Sequence, residues 1–206
     1  MLIIGAKGLA KEVLEIFHQQ NDLANLFFYD DISTDLPDLL YGQFKVLRNM
    51  EQVVQLFATD NRFTIGIGNP RLRQLLCDKF NASGGEFVTV VSTYANIGHF
   101  GNSFGAGCNI MTGSVITNDV KMGKGCLINL NCTIGHDTVM GDFVELSPAV
   151  NISGRCVIGN YCNIGTGAIL LPNVKLGDNV IVGAGAVVTK DVDDGLTVVG
   201  VPAKRL

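Results

Sequence analysis

The chain has 206 residues, 47% of them hydrophobic, and a formal net charge of −4, a length sufficient for one large or two small domains. No apolar run approaches the roughly 20 residues that a membrane-spanning helix needs. Lysine and arginine form no cluster that would attract nucleic acid or an anionic membrane, so we expect small-molecule partners, no nucleic-acid binding and no membrane insertion.

The first 91 residues alternate short apolar runs with helical patterns. "MLII" predicts a strand, "GAKGLA" a glycine turn and "KEVLEIFHQQ" a helix. The opening run is short and has no basic residues before it, so it does not resemble a secretory signal and we expect a cytoplasmic protein. Later strands are predicted at "LFFYD", "RFTIGIG" and "EFVTVV", and later helices at "MEQVVQLF" and "PRLRQLL". This alternation predicts a small parallel sheet with flanking helices.

Glycines and acidic residues follow the predicted strands of this sheet. Gly5 and Gly8 come after the first strand, Asp30 and Asp31 after the second, and Gly68 after the third. Ligands bind such sheets at the carboxyl ends of their strands. A helix that begins after Gly8 can offer its first amides to a phosphate, and the aspartates can accept hydrogen bonds from a ribose or a base. These features suit a nucleotide.

The glycine turn alone is a weak signal. Lys7 stands where the pattern G-x-G-x-x-G has its middle glycine, and about 90 residues are too few for a full dinucleotide-binding domain. The two glycines can also serve only to form a tight turn. The residues by themselves leave both interpretations open.

A six-residue period begins at Phe104 and continues to Val188. All fifteen positions at this spacing are apolar, and glycine follows eight of them. This is a hexapeptide repeat, in which one aliphatic side chain per hexad points into a coil and glycine permits a tight corner. Because three hexads form one triangular turn, residues 18 apart in the sequence should stack about 4.8 Å apart, the spacing of neighbouring strands.

The register of the repeat slips once near its start. Ile97 and Gly98 fit a hexad that is displaced by one residue from the later ones. We therefore predict that the coil begins near Ser92 with one small irregularity and continues through five regular coils. The same change of pattern predicts a domain boundary between residues 91 and 92.

The cysteines follow the repeat, which suggests packing and not metal binding. Free cysteine at the small inward position behaves as a compact hydrophobic residue, and a zinc site on the coil would need several histidines that meet at a corner. The chain has only His18, His99 and His136, so we predict no metal site and no disulfide. Cys77 lies in a helical pattern and is expected to be a buried thiol. The five cysteines of the repeat are Cys108, Cys126, Cys132, Cys156 and Cys162.

His136 is the residue of the repeat most suited to chemistry. It stands second after the apolar residue Ile134, which places it at a corner of the coil, and the 18-residue spacing stacks it between Asn118 and Gly154. Histidine titrates close enough to neutrality to act as a general base. Asp137 can orient the imidazole, as carboxylates do for other catalytic histidines, or can be a solvated turn residue. The residues alone allow either a functional or a structural role for this corner.

Over its whole length the chain resembles the bacterial nucleotide-sugar acetyltransferases that carry hexapeptide repeats. The resemblance rests on "IIGAKGLAKEV", "YDD", "GIGNPRLR", "IGHD" and "VVGVPAKRL". The pattern is most similar to the UDP-4-amino-sugar N-acetyltransferases, with the sialic acid O-acetyltransferase-like proteins as near relatives. The resemblance implies a small Rossmann-like α/β domain for the nucleotide sugar over residues 1–91. It also implies a left-handed parallel β-helix with a C-terminal extension, for acyl transfer, over residues 92–206.

The activity implied by this resemblance is transfer of an acetyl group from acetyl-CoA to the amine of a nucleotide-linked sugar, UDP-linked by the closest pattern, for surface glycan synthesis. A homotrimer that binds CoA between two subunits is also implied, and no metal is required. A hydroxyl acceptor on a sugar or an amino acid is an alternative, because an amine and a hydroxyl need the same base. A scaffold without activity is a further alternative, although it leaves the corner histidine without a role.

Functional positions of the family can be assigned to this sequence by the same resemblance. His136 is the base, Asp137 its acidic partner, and the backbone N–H of Gly154 the donor to the thioester oxyanion. Glu145 stands where close relatives have a second histidine at the acyl donor, and His99 is expected to belong to the cap of the coil. The remaining acyl-donor positions are Thr166, Ala184, Lys204 and Arg205. The positions for the nucleotide sugar and its acceptor group are Gly8, Leu9, Ala10, Asp30, Asp31, Gly68, Arg71, Asn118 and Asn129.

Overall fold

The computed structural model describes residues 1–206, and the first 87 form a six-stranded sheet with helices on both faces. The strands are β1 (Leu2–Ile4), β2 (Phe27–Tyr29), β3 (Leu39–Leu40), β4 (Phe44–Leu47), β5 (Arg62–Ile65) and β6 (Glu86–Phe87). The helices are α1 (Gly8–Gln19), α2 (Met50–Phe57) and α3 (Pro70–Ala82). The strand order is β3-β4-β2-β1-β5-β6, and only the β3–β4 hairpin is antiparallel. The predicted parallel sheet with flanking helices is confirmed.

Side chains of β1 alternate between two cores, as expected for a strand covered on both faces. Ile3 packs in a cluster with Val13 of α1. Leu2 and Ile4 pack on the opposite face with Phe80 of α3, and α2 contributes to the same cluster. Because both faces are covered, the carboxyl edge of the sheet is the part left accessible to a ligand.

The hairpin of β3 and β4 was not among the predicted elements. Phe44 and Val46 are buried while Lys45 between them is exposed, which is the alternation of a strand with one covered face. The alternation of apolar and polar residues is visible in "FKVL", but four residues are too few to distinguish a strand from a loop. Helix α1 also begins three residues earlier than predicted, at Gly8, because the extended backbone of Lys7 places the N-cap there.

The remaining residues form a left-handed parallel β-helix. Its strands are β7 (Val90–Val91), β8 (Asn96–Ile97), β9 (Ser103–Phe104), β10 (Asn109–Ile110), β11 (Val115–Ile116), β12 (Lys121–Met122), β13 (Leu127–Ile128), β14 (Thr133–Ile134), β15 (Val139–Met140), β16 (Glu145–Leu146), β17 (Asn151–Ile152), β18 (Val157–Ile158), β19 (Asn163–Ile164), β20 (Ile169–Leu170), β21 (Lys175–Leu176), β22 (Ile181–Val182), β23 (Val187–Val188), β24 (Thr197–Val199) and β25 (Lys204–Arg205).

Three sheets form the sides of this coil. The first sheet contains β7, β10, β13, β16, β19, β22, β24 and β25; the second contains β8, β11, β14, β17, β20 and β23; the third contains β9, β12, β15, β18 and β21. We call the corner between the second and third sheets, which includes residues 135–138, the histidine corner. The corner between the first and second sheets, which includes residues 129–132, is called the asparagine corner.

The strand pairing shows where the register changes. Ile128 pairs with Leu146, at the regular spacing, whereas Ile97 pairs with Ile116, one residue further along than that spacing. The predicted irregularity before Phe104 is therefore confirmed. The predicted starting point of the coil, near Ser92, is two residues late, because β7 already pairs with β10. The run "EFVTVV" is divided between the two architectures, with β6 in the N-terminal sheet and β7 in the coil.

Inward side chains of the coil form one continuous buried cluster. The apolar positions of the repeat and its five cysteines all belong to it. All six cysteines of the chain are buried and free, which confirms the packing role predicted for those in the repeat. Burial raises the pKa of Cys132 and of Cys162 to about 11, so both are neutral thiols near pH 7 and poor nucleophiles.

The N-terminal domain docks on the first sheet of the coil. Asn109 of β10 accepts a hydrogen bond from the Thr64 hydroxyl at 2.7 Å and donates one to the carbonyl of Ile65 at 2.9 Å. Arg73 of α3 is almost completely buried and donates to backbone carbonyls of the coil, among them that of Phe143 at 2.9 Å. These contacts determine which side of the coil the N-terminal domain covers. No helix in the chain has the length and apolar character to cross a membrane.

Candidate active site

His136 and Asp137 form a hydrogen-bonded pair on the histidine corner. The distance from Nδ1 of His136 to Oδ2 of Asp137 is 2.7 Å, and the side chains are 54% and 56% exposed. Asp137 adopts φ +58°, a left-handed conformation that turns its side chain back toward its neighbour. Because a carboxylate only accepts, Nδ1 carries the proton and the neutral ring has its lone pair on Nε2. That nitrogen can take a proton from a bound acceptor.

Gly154 lies directly against the His136 ring. A Cβ atom on Gly154 would lie 2.7 Å from Nε2 and 2.9 Å from Cε1 of His136, closer than any ordinary contact. The next coil holds this corner through the hydrogen bond from the amide of Arg155 to the His136 carbonyl, 2.8 Å long. In the preceding coil, the backbone carbonyl of Asn118 accepts a hydrogen bond from the backbone amide of Asp137 at 3.2 Å. The predicted stacking of Asn118, His136 and Gly154 is therefore present.

Other predicted positions stack on the asparagine corner. Asn129 is nearly buried, and its Oδ1 accepts from the amide of Leu130 at 2.7 Å. Thr166 and Ala184 follow in later coils, and the Thr166 carbonyl accepts from the amide of Gly185 at 2.8 Å. Leu130 packs against the cluster that contains α1. The part of the asparagine corner around Asn129 therefore lies beside the N-terminal domain.

A cavity of about 200 Å³ opens at the carboxyl edge of the N-terminal sheet. The ends of β1 and β2 line it together with the loop after β5 and one side of α3. Ile67, Leu72 and Leu76 form its apolar wall, and Asp30 and Asp31 lie at its polar end. A cavity with an apolar wall and a few polar groups is the usual form of a small-molecule site, and its dimensions suit a planar base.

The two aspartates at this cavity have different hydrogen bonds. Oδ1 of Asp30 accepts from the amides of Ile32 at 3.1 Å and Ser33 at 2.8 Å, so Asp30 shapes the loop. Oδ2 of Asp31 accepts from the Tyr29 hydroxyl at 2.7 Å and faces the Lys79 ammonium at 3.4 Å. Burial acts to raise the pKa of Asp31, but the Tyr29 hydrogen bond and the Lys79 charge together hold it below its usual range. Each carboxylate therefore keeps one oxygen without a protein partner, Oδ2 of Asp30 and Oδ1 of Asp31.

The three predicted ligand-binding residues of the glycine turn differ in how accessible they are. Gly8 begins α1, and open space lies above it. Leu9 is half-buried against the cluster of α1. Ala10 is fully buried, and a Cβ on Gly66 would lie 2.6 Å from its own. Of these three positions, Gly8 and Leu9 are the ones that a ligand at this edge can reach.

Arg71 points away from the cavity and toward the coil. Its guanidinium lies 3.7 Å from the centre of the Tyr161 ring and donates to the side chain of Asn179. This is a cation–π contact in a docking interface, so Arg71 is held against the coil and does not line the cavity. Gly68, two residues before α3, also faces the coil, where a Cβ would lie 2.9 Å from Oε1 of Glu145.

Glu145 lies between the two domains and not at the histidine corner. Its carboxylate is 13% exposed and is 3.7 Å from the guanidinium of Arg73. Burial raises the pKa of Glu145, and the Arg73 charge opposes that shift. Within one chain, Glu145 is on the first sheet, across the coil from His136. Sequence reasoning did not identify Arg73, although an arginine on the inner face of an otherwise apolar helix was a usable signal.

The last two residues predicted to bind the acyl donor, and the histidine of the first coil, lie at the periphery of the β-helix. Lys204 and Arg205 form β25, which pairs antiparallel with β24, and both are exposed. His99 is exposed in the first coil, at the position equivalent to Asn118, in agreement with its expected place in the cap. No group of three or more His, Cys, Asp or Glu side chains is arranged to hold a metal ion.

One chain does not bring the predicted site residues together. The His136–Asp137 pair occupies the histidine corner, whereas Asn129, Thr166 and Ala184 occupy the asparagine corner and the cavity belongs to the N-terminal domain. Every side-chain hydrogen bond from residues 1–87 to the coil reaches the first sheet or a corner beside it. The histidine corner is the one opposite that sheet.

Two family models match the chain. One is described as the PglD N-terminal domain and matches residues 1–80. The other is described as the bacterial transferase hexapeptide, six repeats, and matches residues 155–190. No curated protein matches the chain significantly.

Several solved structures are similar over the whole chain. WeeI from Acinetobacter baumannii AYE is 30% identical, with a TM-score of 0.91, and the match covers 100% of this chain and 98% of that one. The acetyltransferase domain of PglB from Neisseria gonorrhoeae FA1090, in complex with acetyl coenzyme A, is 29% identical over 100% and 98%, with a TM-score of 0.91. A mutant of perosamine N-acetyltransferase from Caulobacter crescentus, in complex with CoA and GDP-perosamine, is 29% identical over 100% and 95%, with a TM-score of 0.90.

Proposed function

The chain belongs to the bacterial nucleotide-sugar acetyltransferases with hexapeptide repeats, and from this membership we propose that it transfers the acetyl group of acetyl-CoA to the amine of a UDP-linked amino sugar. It is an acetyl-CoA-dependent acyltransferase. We assign recognition of the nucleotide sugar to residues 1–91 and acyl transfer to residues 92–206. Such a product is suited to surface glycan synthesis.

The observation that carries this proposal is the His136–Asp137 pair, with Nε2 exposed next to Gly154. Nε2 removes a proton as the sugar amine attacks the thioester carbonyl. The carbonyl oxygen becomes an oxyanion, to which the Gly154 N–H donates. The tetrahedral intermediate then expels CoA thiolate, which takes up a proton as the amide forms. A positioned base contributes about 100- to 10,000-fold, and an oxyanion donor about 3 to 4 kcal/mol.

The free oxygen of Asp31 supports uracil as the base. Tyr29 and Lys79 both occupy Oδ2 of Asp31, so this carboxylate offers a ligand one free oxygen, Oδ1. Uracil presents a single N–H between two carbonyl oxygens, whereas guanine presents two adjacent N–H donors. One acceptor matches the uracil edge. GDP is the alternative, because the perosamine N-acetyltransferase structure holds GDP-perosamine.

The separation of the site residues supports a homotrimer as the active form. The histidine corner of one subunit can meet the asparagine corner and the cavity of a neighbour, which the same chain cannot do for itself. Val139 and Val157 are each 42% exposed on the third sheet, next to the histidine corner. Burial of these side chains against a neighbouring coil would stabilise such an assembly.

A panel of ligands tests the substrate assignment. The protein is screened by thermal shift against UDP-, GDP-, dTDP- and CMP-linked amino sugars, each with and without acetyl-CoA. A ligand at a hundred times its Kd stabilises by about 2.7 kcal/mol, which is readily measured. Release of the CoA thiol then reports acetyl transfer. The proposal fails if no nucleotide sugar raises Tm and none supports thiol release.

A variant of the proposed base tests the chemistry. His136→Ala should lower kcat by about 100-fold or more with little change in Tm, since the side chain is exposed. His18→Ala is the matched control, because His18 is also more than half exposed, on α1, and belongs to none of the proposed site positions. Turnover near that of the wild type in the His136 variant would exclude this residue as the base.

Mixed oligomers test the shared site. His136→Ala and Asp31→Ala subunits should each be impaired alone, but their co-expression should restore activity. In mixed trimers, the intact histidine corner of one variant meets the intact cavity of the other. No recovery in verified mixed oligomers, or a monomer by light scattering with full activity, would contradict the trimeric site.

A further inference from the structure

The rim of the nucleotide cavity has an excess of acidic side chains. Four aspartates lie in the loop between β2 and β3: Asp30, Asp31, Asp35 and Asp38. A nucleoside diphosphate is itself an anion, so this rim repels it unless a cation compensates. The basic side chain that can supply this charge is one that does not have to give up a structural contact within the protein.

Two basic side chains near this loop have partners within the protein. The Arg48 guanidinium donates to the carbonyls of Ser33 at 3.1 Å and Leu36 at 2.7 Å, and so holds the loop against the end of β4. The Lys79 ammonium lies 3.4 Å from Asp31. Transfer of either cation to a phosphate would release a contact that shapes the cavity.

Lys7 is held only by an exposed ion pair. Its Nζ lies 2.6 Å from Oδ1 of Asp35, and the two side chains are 51% and 72% exposed. The pair bridges the glycine turn after β1 to the loop after β2, which are the two segments that supply Gly5 and Asp31 to the cavity. An exposed pair contributes little to stability, so a stronger anion can displace the carboxylate.

The position of Lys7 along the chain matches the expected path of a nucleotide. A base in the cavity ends beside Gly5, and Lys7 lies two residues further along the turn, next to the open space above Gly8. The group that follows the nucleoside in a nucleotide sugar is the diphosphate. Several phosphate oxygens carry more charge than one carboxylate and form stronger charge-assisted hydrogen bonds.

We infer that Lys7 exchanges partners when substrate binds, leaving Asp35 and pairing with the diphosphate of the nucleotide sugar. Lys7 is then a specificity residue for the diphosphate linkage, and Asp35 holds it at the rim of the cavity before substrate binds. This inference rests on the proposed function, since it needs a nucleoside diphosphate in the cavity. It also explains why a lysine occupies a turn position that nucleotide-binding sheets commonly leave to glycine.

Opposite effects of two substitutions test the exchange. Kd values for UDP, GDP, UMP and GMP are measured by calorimetry on the full chain. Lys7→Met should weaken binding of the preferred diphosphate by about ten-fold, the scale of a hydrogen bond to a charged group, and should affect the monophosphate less. Asp35→Asn should strengthen diphosphate binding by about two- to three-fold, since the competing partner is an exposed ion pair. This gain should become smaller in the Lys7→Met background.

Asp38→Asn is the matched control for charge. It removes the same charge from the same loop, but Asp38 has no ion pair, so its effect should be smaller than that of Asp35→Asn. Equal gains from the two aspartate variants, or unchanged binding in Lys7→Met, would overturn the exchange while the proposed function stands. If the wild-type protein binds neither diphosphate, both the proposed function and this inference fail.

Discussion

Substitution of Gly154 by alanine should separate catalysis from stability. The added Cβ would lie 2.7 Å from Nε2, 2.9 Å from Cε1 and 3.1 Å from Cδ2 of His136. Carbon atoms in contact prefer about 3.5 to 4.0 Å, so the ring must move by roughly 1 Å. The backbone N–H that we assign to the oxyanion is retained in this variant. The substitution therefore tests the position of the base and not the donor.

The expected magnitude follows from that displacement. A misplacement of about 1 Å can cost on the order of 100-fold in rate, so we expect Gly154→Ala to lower kcat by about 10- to 100-fold. The ring is exposed and can swing into solvent, so the free energy of unfolding should change by about 0.5 kcal/mol or less, as for surface substitutions.

Steady-state kinetics with acetyl-CoA and the preferred nucleotide sugar, run alongside thermal denaturation, check both expectations. In the His136→Ala background, Gly154→Ala should cause no further loss, because the ring that it displaces is absent. Wild-type kcat in a folded Gly154→Ala protein would refute the reasoning. So would a large additional loss in the double variant.

Three stability predictions follow from the interior and the N-terminus. Arg73→Met should cost about 3 to 5 kcal/mol, the loss expected when one partner of a buried ion pair is removed. Glu145→Gln should cost less, because Arg73 keeps its backbone acceptors at Gly125, Phe143 and Val144. Urea unfolding of both variants compares them. Cys132→Ala should lower stability by about 1 kcal/mol and leave activity unchanged. A loss of activity that added zinc restores would contradict this. The Arg62 hydrogen bonds and the N-terminal amine hold the pKa of Asp60 well below its usual range, so Asp60→Asn should destabilise at pH 7. The Asp60 carboxylate stabilises the fold fully above its pKa in the unfolded chain, and this stabilisation is lost as the pH falls through its pKa in the folded protein. The free energies of unfolding of the wild type and of Asp60→Asn should therefore converge in acid.

The β-helix and the placement of His136 could be predicted because the repeat is local. Each hexad supplies its own inward residue and its own corner, so the position of any side chain follows from counting along the sequence. This reasoning also assigned the cysteines to the core and located the register slip before Phe104. The short β3–β4 hairpin escaped prediction because two- to four-residue strands carry too little periodic signal.

The relation between the two domains depended on tertiary contacts. Arg73, Arg71 and Glu145 appear in the sequence as ordinary charged residues. Only docking of α3 on the coil shows that Arg73 and Glu145 meet in the interior of an interface and that Arg71 lies at its exposed edge, against Tyr161. The cavity network of Asp31, Tyr29 and Lys79 also joins segments that are distant in the chain. Contacts between distant segments leave no periodic trace in a sequence. The repeat therefore determined where the proposed base stands, and the docking of the N-terminal domain decided that, within one chain, the cavity lies away from that base.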